Sequence, residues 1–237
     1  MSRGVLGSLI DRARVLYGQL AGEPDALRLW SLAVRLTGDI VGSRLSEEVD
    51  TPKDAALVAT LVPDFEEVIS HLDMLSVLIP DDLTIAEERI LARVQYAGLL
   101  HACRQHASAA QYGVPAVSDP RALDILGTDA LLQSGGSFVF EWARWPSPPD
   151  ESAPSPTDPS GWIDQVSTWL EDADFAPPEG AETIEAVLGL AILAAAEVSR
   201  RFGRVEPLLR LVGLLEHGTH ADALARAASV LVGRGSR

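Results

Sequence analysis

Apolar residues recur at intervals of three and four along most of the chain, and this spacing constrains the fold more than any other feature. Residues 6–20 carry one continuous apolar stripe, and helical patterns follow in residues 24–44, 65–79, 84–110 and 181–201. Residues at this spacing share one face of an α-helix, which is buried against a neighbour. No two segments show the alternation of paired strands. The pattern predicts an all-α fold, an irregular multi-helix bundle of about nine to ten helices.

A short α-solenoid of helix pairs is the alternative architecture. The alanine-rich stretch from Glu87 to Gly127 has the texture of stacked helix pairs. No fixed period recurs, however, and solenoids are built from repeats of constant length. The irregular bundle therefore remains the first expectation.

Capping and turn residues predict several helix boundaries. Thr84 and Glu87 match a capping box, in which each side chain satisfies a free backbone amide of the first helical turn. The helix that follows is expected to extend to about Ala110. The glycine pair at 135–136 is expected to end a later helix.

The bulky segment 137–145 is the one stretch without a clear helical pattern. Its sequence, SFVFEWARW, alternates in part and is compatible with a short strand, an extended arm or a helix. Six of the 13 aromatic residues of the chain fall within residues 138–169. Because tryptophan is enriched at protein interfaces, we predict a partner-binding region formed by Phe138, Phe140, Trp142 and Trp145.

Residues 146–161 have the composition of a linker. Their sequence, PSPPDESAPSPTDPSG, is rich in proline, serine and acid and has no large apolar residue. We therefore expect an N-terminal helical region over residues 1–145, a linker or surface excursion over 146–161, and C-terminal helices over 162–237. The C-terminal helices are few, so we expect them to pack on the N-terminal region. The alternative is that the whole chain forms one continuous domain with a surface excursion at 146–161.

Acidic residues are concentrated in two blocks. The formal net charge of the 237 residues is −15. Residues 47–90 and 134–190 each carry −10, whereas both ends of the chain are slightly basic. Such a chain is repelled by the phosphate backbone, so we expect no nucleic-acid partner. A negative face would attract a basic protein or peptide, although a solvated surface is the simpler interpretation.

Composition also indicates the compartment and the source. A single cysteine, Cys103, excludes an internal disulfide and fits a reducing cytosol. The longest apolar stretch, residues 186–196, is too short to cross a membrane, and we expect a soluble, cytoplasmic protein. The basic residues are 18 arginines and one lysine, and asparagine is absent, which indicates a bacterial genome rich in GC or a halophile.

Histidines form three groups that resemble metal sites, and each has a structural explanation. Glu67 and His71 share a helix face but lack the repeated Glu-x-x-His spacing of dinuclear carboxylate sites. On one unbroken helix, Cys103 and His106 would point about 200° and 140° away from His101, so the three could not meet at one ion. The sequence at 217–222, HGTHAD, is explained as a helix end followed by a cap.

The acidic residues around position 80 give the sharpest enzymatic hypothesis. Asp81, Asp82 and Glu87 resemble the paired aspartates that hold magnesium in isoprenoid diphosphate enzymes, but the third acid of that motif is misplaced and the second motif is absent. Phosphate-binding glycine loops, zinc-protease helices and the serine nucleophile elbow are also absent. No catalytic residue and no cofactor are predicted.

These observations favour a non-catalytic protein–protein interaction protein, of the immunity or adaptor kind, that binds a basic protein or peptide. The alternative is an all-α enzyme or small-ligand-binding protein with a pocket between helices, dependent on magnesium through Asp81, Asp82 and Glu87. The acidic blocks and the missing catalytic motifs weigh toward the first hypothesis.

Overall fold

The computed structural model describes the backbone of residues 3–20, 23–47, 52–144, 158–171 and 181–217. Within these ranges the chain forms nine helices and no strand, which confirms the predicted all-α class. The chain divides into two compact units, Met1–Ala116 and Val117–Arg237. Unit 1 contains α1 (Arg3–Gln19), α2 (Pro24–Glu47), α3 (Pro52–Leu78), α4 (Leu83–Ala102) and α5 (His106–Val117), whose last residue opens unit 2. Unit 2 contains α6 (Ala122–Arg144), α7 (Ser160–Glu171), α8 (Ala181–Phe202) and α9 (Glu206–His217).

The boundary between the units lies inside the predicted N-terminal helical region, residues 1–145. The predicted linker at 146–161 lies outside the described residues except for positions 158–161.

Helix α2 is the centre of unit 1 and contacts α1, α3 and α4. Trp30 and Val34 of α2 are fully buried, and so are Phe65 of α3 and Ile90 of α4. Gly38 lets α2 approach α3 closely, because a Cβ at that position would lie 2.8 Å from Cζ of Phe65. The apolar stripes predicted from the sequence thus meet in one core.

A buried polar contact also joins α2 to α4. Glu88 of α4 accepts a hydrogen bond from the hydroxyl of Ser31 at 3.0 Å, and its other carboxylate oxygen lies 3.5 Å from a guanidinium nitrogen of Arg35. A buried charge pair of this kind favours one alignment of the two helices, because removing either partner leaves an uncompensated charge.

Helix α4 does not extend to Ala110 as predicted. It ends at Ala102, and Arg104 takes a left-handed backbone conformation with φ of 59°. The amide of Gln105 donates to the carbonyl of Leu100, and the amide of Arg104 donates to that of His101, each at 2.9 Å. This pair of bonds is the Schellman helix end, which normally has glycine at the left-handed position. Because position 104 is arginine rather than glycine, the sequence does not indicate that the helix ends here.

The predicted capping box at Thr84 and Glu87 is also replaced. Asp82 is the N-cap of α4, and its carboxylate accepts from the amides of Thr84 at 2.9 Å and Ile85 at 3.2 Å. Aspartate caps as well as threonine does, so the helix begins two residues earlier than the capping box implies.

In unit 2, α8 contacts α6, α7 and α9. Its residues Leu188, Ala191 and Ala195 are fully buried, as expected for a helix that is apolar nearly all round from Val187 to Ala196. The side chains of the first residues of α8, 181–186, lie outside the described part of the structure.

Helix α6 runs through Gly135 and Gly136, which were expected to end it. The indole of Trp162 in α7 packs against this pair, and its Nε1–H donates to the carbonyl of Leu131 at 3.1 Å. A residue without a side chain is needed at position 135, because a Cβ there would lie 2.6 Å from Nε1 of Trp162, so Gly135 serves helix packing here. The helix is kinked earlier, at Gly127, where φ is 75° and ψ is 166°.

Candidate functional site

The predicted aromatic region forms part of helix α6 in the core of unit 2. The strand and arm interpretations are wrong for residues 137–144, and the helix interpretation is confirmed. Phe138 and Trp142 are buried, and Trp142 stacks on Phe202 with ring centroids 6.4 Å apart. Phe140 is half-buried beneath the guanidinium of Arg144. Phe138 and Trp142 thus stabilise unit 2, and this conformation does not present them to a partner.

Trp145, the fourth aromatic residue of that prediction, lies outside the described residues. The predicted last helix after Thr219 lies outside them as well.

The acidic residues proposed as magnesium ligands do not come together. Asp82 uses its carboxylate to cap α4, whereas Asp81 and Glu87 are exposed. Within the described part of the chain, no group of three or more closely placed His, Cys, Asp or Glu ligands includes Asp81, Asp82 or Glu87. The arrangement accounts for these acids as a helix cap and a charged surface.

Glu67 and His71 also have separate structural roles. Arg14 bridges two carboxylates of α3, at 2.8 Å from Asp64 and 2.5 Å from Glu67. The His71 ring instead shares a hydrogen bond of 3.2 Å with the hydroxyl of Tyr17. These contacts attach α1 to α3.

A cluster of exposed apolar side chains, which we name the apolar tip, surrounds the turn between α3 and α4. The exposed fractions are large for aliphatic residues: Met74 50%, Val77 79%, Leu78 67%, Ile79 37% and Leu83 70%. Unit 1 therefore presents apolar surface at one end of two adjacent helices.

The apolar tip arises because the buried stripe of α3 ends before the helix does. Phe65, Val68, Ile69 and Leu72 are almost fully buried, whereas the last turn of the helix projects past the core. The stripe predicted from the sequence included Ile79 as a buried residue, which is wrong. The missed signal is that five of the six residues 74–79, MLSVLI, are apolar, so the apolar surface of this turn is not confined to one face.

The charged groups beside the apolar tip are mainly acidic at the surface. Asp81 and Glu87 are exposed. The neighbouring arginines are directed to other groups, because Arg93 pairs with Asp73 at 2.5 Å and Arg89 donates to the hydroxyl of Ser76 at 3.1 Å. The apolar tip is thus bordered by negative charge.

A second arrangement of interest is the pair His101 and His106, at the joint between α4 and α5. Because the helix breaks between them, the two rings meet, with their Nδ1 atoms 3.2 Å apart and their centroids 4.8 Å apart. The prediction that they could not converge is wrong, and the cause is the left-handed turn at Arg104. Both rings are half-buried.

Cys103 lies in the same joint and caps α4. Its amide donates to the carbonyl of Leu99 at 3.1 Å. Partial burial raises the pKa of the thiol, which disfavours the reactive thiolate. The environment is therefore that of a structural cysteine rather than a nucleophile.

Comparison with known proteins gives no family, because no family model, no curated protein and no solved structure matches the chain. The described helices include none with both the length and the apolar character needed to cross a membrane.

Proposed function

We propose that the chain is a non-catalytic interaction protein whose unit 1 binds a basic protein or peptide through the apolar tip. The observation that carries the proposal is the exposure of five large apolar side chains within residues 74–83. Scattered apolar residues are normal on a protein surface, whereas a contiguous group of them is typical of an interaction site.

Burial of the apolar tip would contribute substantially to binding. Full burial of an aliphatic side chain is worth about 1.5–3 kcal/mol. Val77, Leu78 and Leu83 are 79%, 67% and 70% exposed, and covering these three would contribute about 4 kcal/mol before the costs of association. The apolar tip can therefore provide the central contact of a moderately tight interface.

The acids at the border define the chemistry of the partner. Asp81 and Glu87 are exposed beside the apolar tip, within the block 47–90 that carries a net charge of −10. Complementary charge accelerates encounter and discriminates among partners. The expected partner segment has aliphatic or aromatic side chains flanked by lysine or arginine. A second copy of this chain would bring like charges together, so self-association is not favoured.

The test is selection of peptides from a random display library on the immobilised full chain. We expect enriched sequences that combine apolar anchors with lysine or arginine. Enriched peptides should bind the V77S/L78S variant at least about tenfold more weakly, because the apolar contact is lost. Their affinity should also fall between about 50 and about 300 mM salt, because the surface charges are screened.

The matched control is L9S/V15S, which changes a leucine and a valine of α1 that are 42% and 57% exposed. Arg14, between them, pairs with Asp64 of α3, ten residues before the apolar tip begins at Met74. This control variant should bind the selected peptides like the wild type. Enrichment of acidic or uncharged peptides, or equal loss of binding in the control, would contradict the proposal. Self-association of the wild type that sedimentation detects, and that V77S/L78S loses, would also overturn the proposal.

A further inference from the structure

We propose that His101 and His106 form a binding site for a divalent transition-metal ion of the Zn²⁺, Ni²⁺ and Cu²⁺ class, which both side chains ligate through Nδ1. The site is independent of the apolar tip and of any partner that binds there. It rests on the meeting of two imidazoles at the joint between α4 and α5.

The separation of the two nitrogens fits one shared ion. A metal–imidazole bond is about 2.0–2.1 Å long. Two such bonds to nitrogens 3.2 Å apart enclose an angle of about 100° at the metal. This angle lies between those of square-planar and tetrahedral coordination, so both histidines can ligate one ion without a change in the backbone.

The backbone of the joint fixes this separation. The amides of Arg104 and Gln105 donate to the carbonyls of His101 and Leu100, each at 2.9 Å, which completes the end of α4. The carbonyl of Gln105 then accepts from the amide of Ala109 at 2.9 Å and opens α5. His101 is thus held in the last turn of one helix and His106 in the first turn of the next. Preorganisation of this kind lowers the entropic cost of binding.

The donor set selects the class of ion. Neutral imidazole nitrogen suits zinc, copper and nickel, whereas magnesium and calcium prefer oxygen ligands. In the metal-free pair one Nδ1 donates its proton to the other. On metal binding both rings would carry their proton on Nε2, so the tautomer of one ring changes. Water or other donors would complete the coordination of the ion.

The experiment is a calorimetric titration of the full chain, which carries no affinity tag, with ZnCl₂. We expect one Zn²⁺ per chain, a higher melting temperature in its presence because the ion binds only the folded state, and no response to MgCl₂. The variants H101Q and H106Q should each weaken Zn²⁺ binding at least about tenfold, since each removes one of the two histidine ligands.

The matched control is H217Q/H220Q, which removes the other closely spaced histidines of the sequence. It should bind Zn²⁺ like the wild type. Loss of binding in this control, retention in H101Q or H106Q, or no binding by the wild type at about 100 times the protein concentration would overturn the proposal.

A second measurement covers the case in which H101Q or H106Q fails to fold. In the wild-type chain labelled with ¹⁵N-histidine, Zn²⁺ should shift the Nδ1 resonances of two of the five histidines and leave the others in place. Shifts confined to other histidines, or none at all, would contradict the assignment whatever the variants do.

Discussion

The three tyrosine side chains show how single residues respond to their surroundings in unit 1. Burial raises the pKa of Tyr17, Tyr96 and Tyr112 above the ordinary value, most strongly for Tyr96. The hydroxyls of Tyr96 and Tyr112 both donate to the same carboxylate oxygen of Glu66, at 3.1 and 3.4 Å. The negative charge of Glu66 opposes their ionisation and adds to the effect of burial.

We therefore expect the tyrosines to resist ionisation while the protein stays folded. Because the folded pKa values lie above the unfolded value of about 10, this contribution to stability is fully present below about pH 10 and is lost as the pH rises further. The measurement is an alkaline titration of tyrosinate absorbance, followed together with helical circular dichroism. In urea the same chain should titrate near pH 10. Ionisation of all three tyrosines near pH 10 with the helical signal intact would contradict the prediction.

At the scale of helices, the contact between α6 and α7 depends on one glycine. A Cβ at Gly135 would lie 2.6 Å from Nε1 of Trp162, whose N–H donates to Leu131. Gly135→Ala should destabilise unit 2 by about 1–3 kcal/mol, because a fully buried, hydrogen-bonded ring has to move. The measurement is thermal or urea unfolding of the full chain.

The adjacent Gly136 provides the matched control. Its added Cβ would meet Cδ1 of Leu190 at 3.3 Å, the end of a flexible side chain that can shift. Both substitutions have the same effect on helix propensity, so the difference between them reports the contact with Trp162. Gly136→Ala should therefore lower the free energy of unfolding much less than Gly135→Ala. Equal losses of stability would show that propensity or general crowding, rather than the Trp162 contact, sets the cost.

The helices also show which parts of the fold could be predicted from the sequence. Apolar periodicity predicted the all-α class and the buried face of α3 through Leu72, because burial of one face requires that spacing. The continuation of α6 through residues 135–136 could not be predicted, because it depends on Trp162 from a distant part of the chain. The end of α4 was hidden because arginine occupies a position that usually requires glycine.

The candidate sites were harder to predict than the fold. The sequence singled out Phe138 and Trp142 because they are large and aromatic, but the same properties make them core residues. The apolar tip depends on how far α3 extends beyond its neighbours, and the histidine pair depends on a backbone turn. Neither the extent of α3 beyond its neighbours nor the backbone turn at Arg104 can be predicted from residue types alone.

At the scale of the whole molecule, unit 1 has a core of its own. Its hydrophobic cluster extends from Ile10 to Ala109 and draws on all five of its helices. We expect residues 1–117, which include α5 in full, to fold as an independent helical domain. The fragment should show helical circular dichroism, a single cooperative thermal transition and the alkaline tyrosine titration of the full chain. A fragment without a cooperative transition would contradict this division of the chain.

The joint between α4 and α5 also has an evolutionary consequence. Three residues separate the helices, and adding or removing one residue turns a following helix by about 100°. Glycine or asparagine at position 104 would keep the left-handed turn, so the identity of that residue can change over time. An insertion or a deletion would move the two imidazoles apart in one step. Selection on this joint would thus act on its length before it acts on its residues.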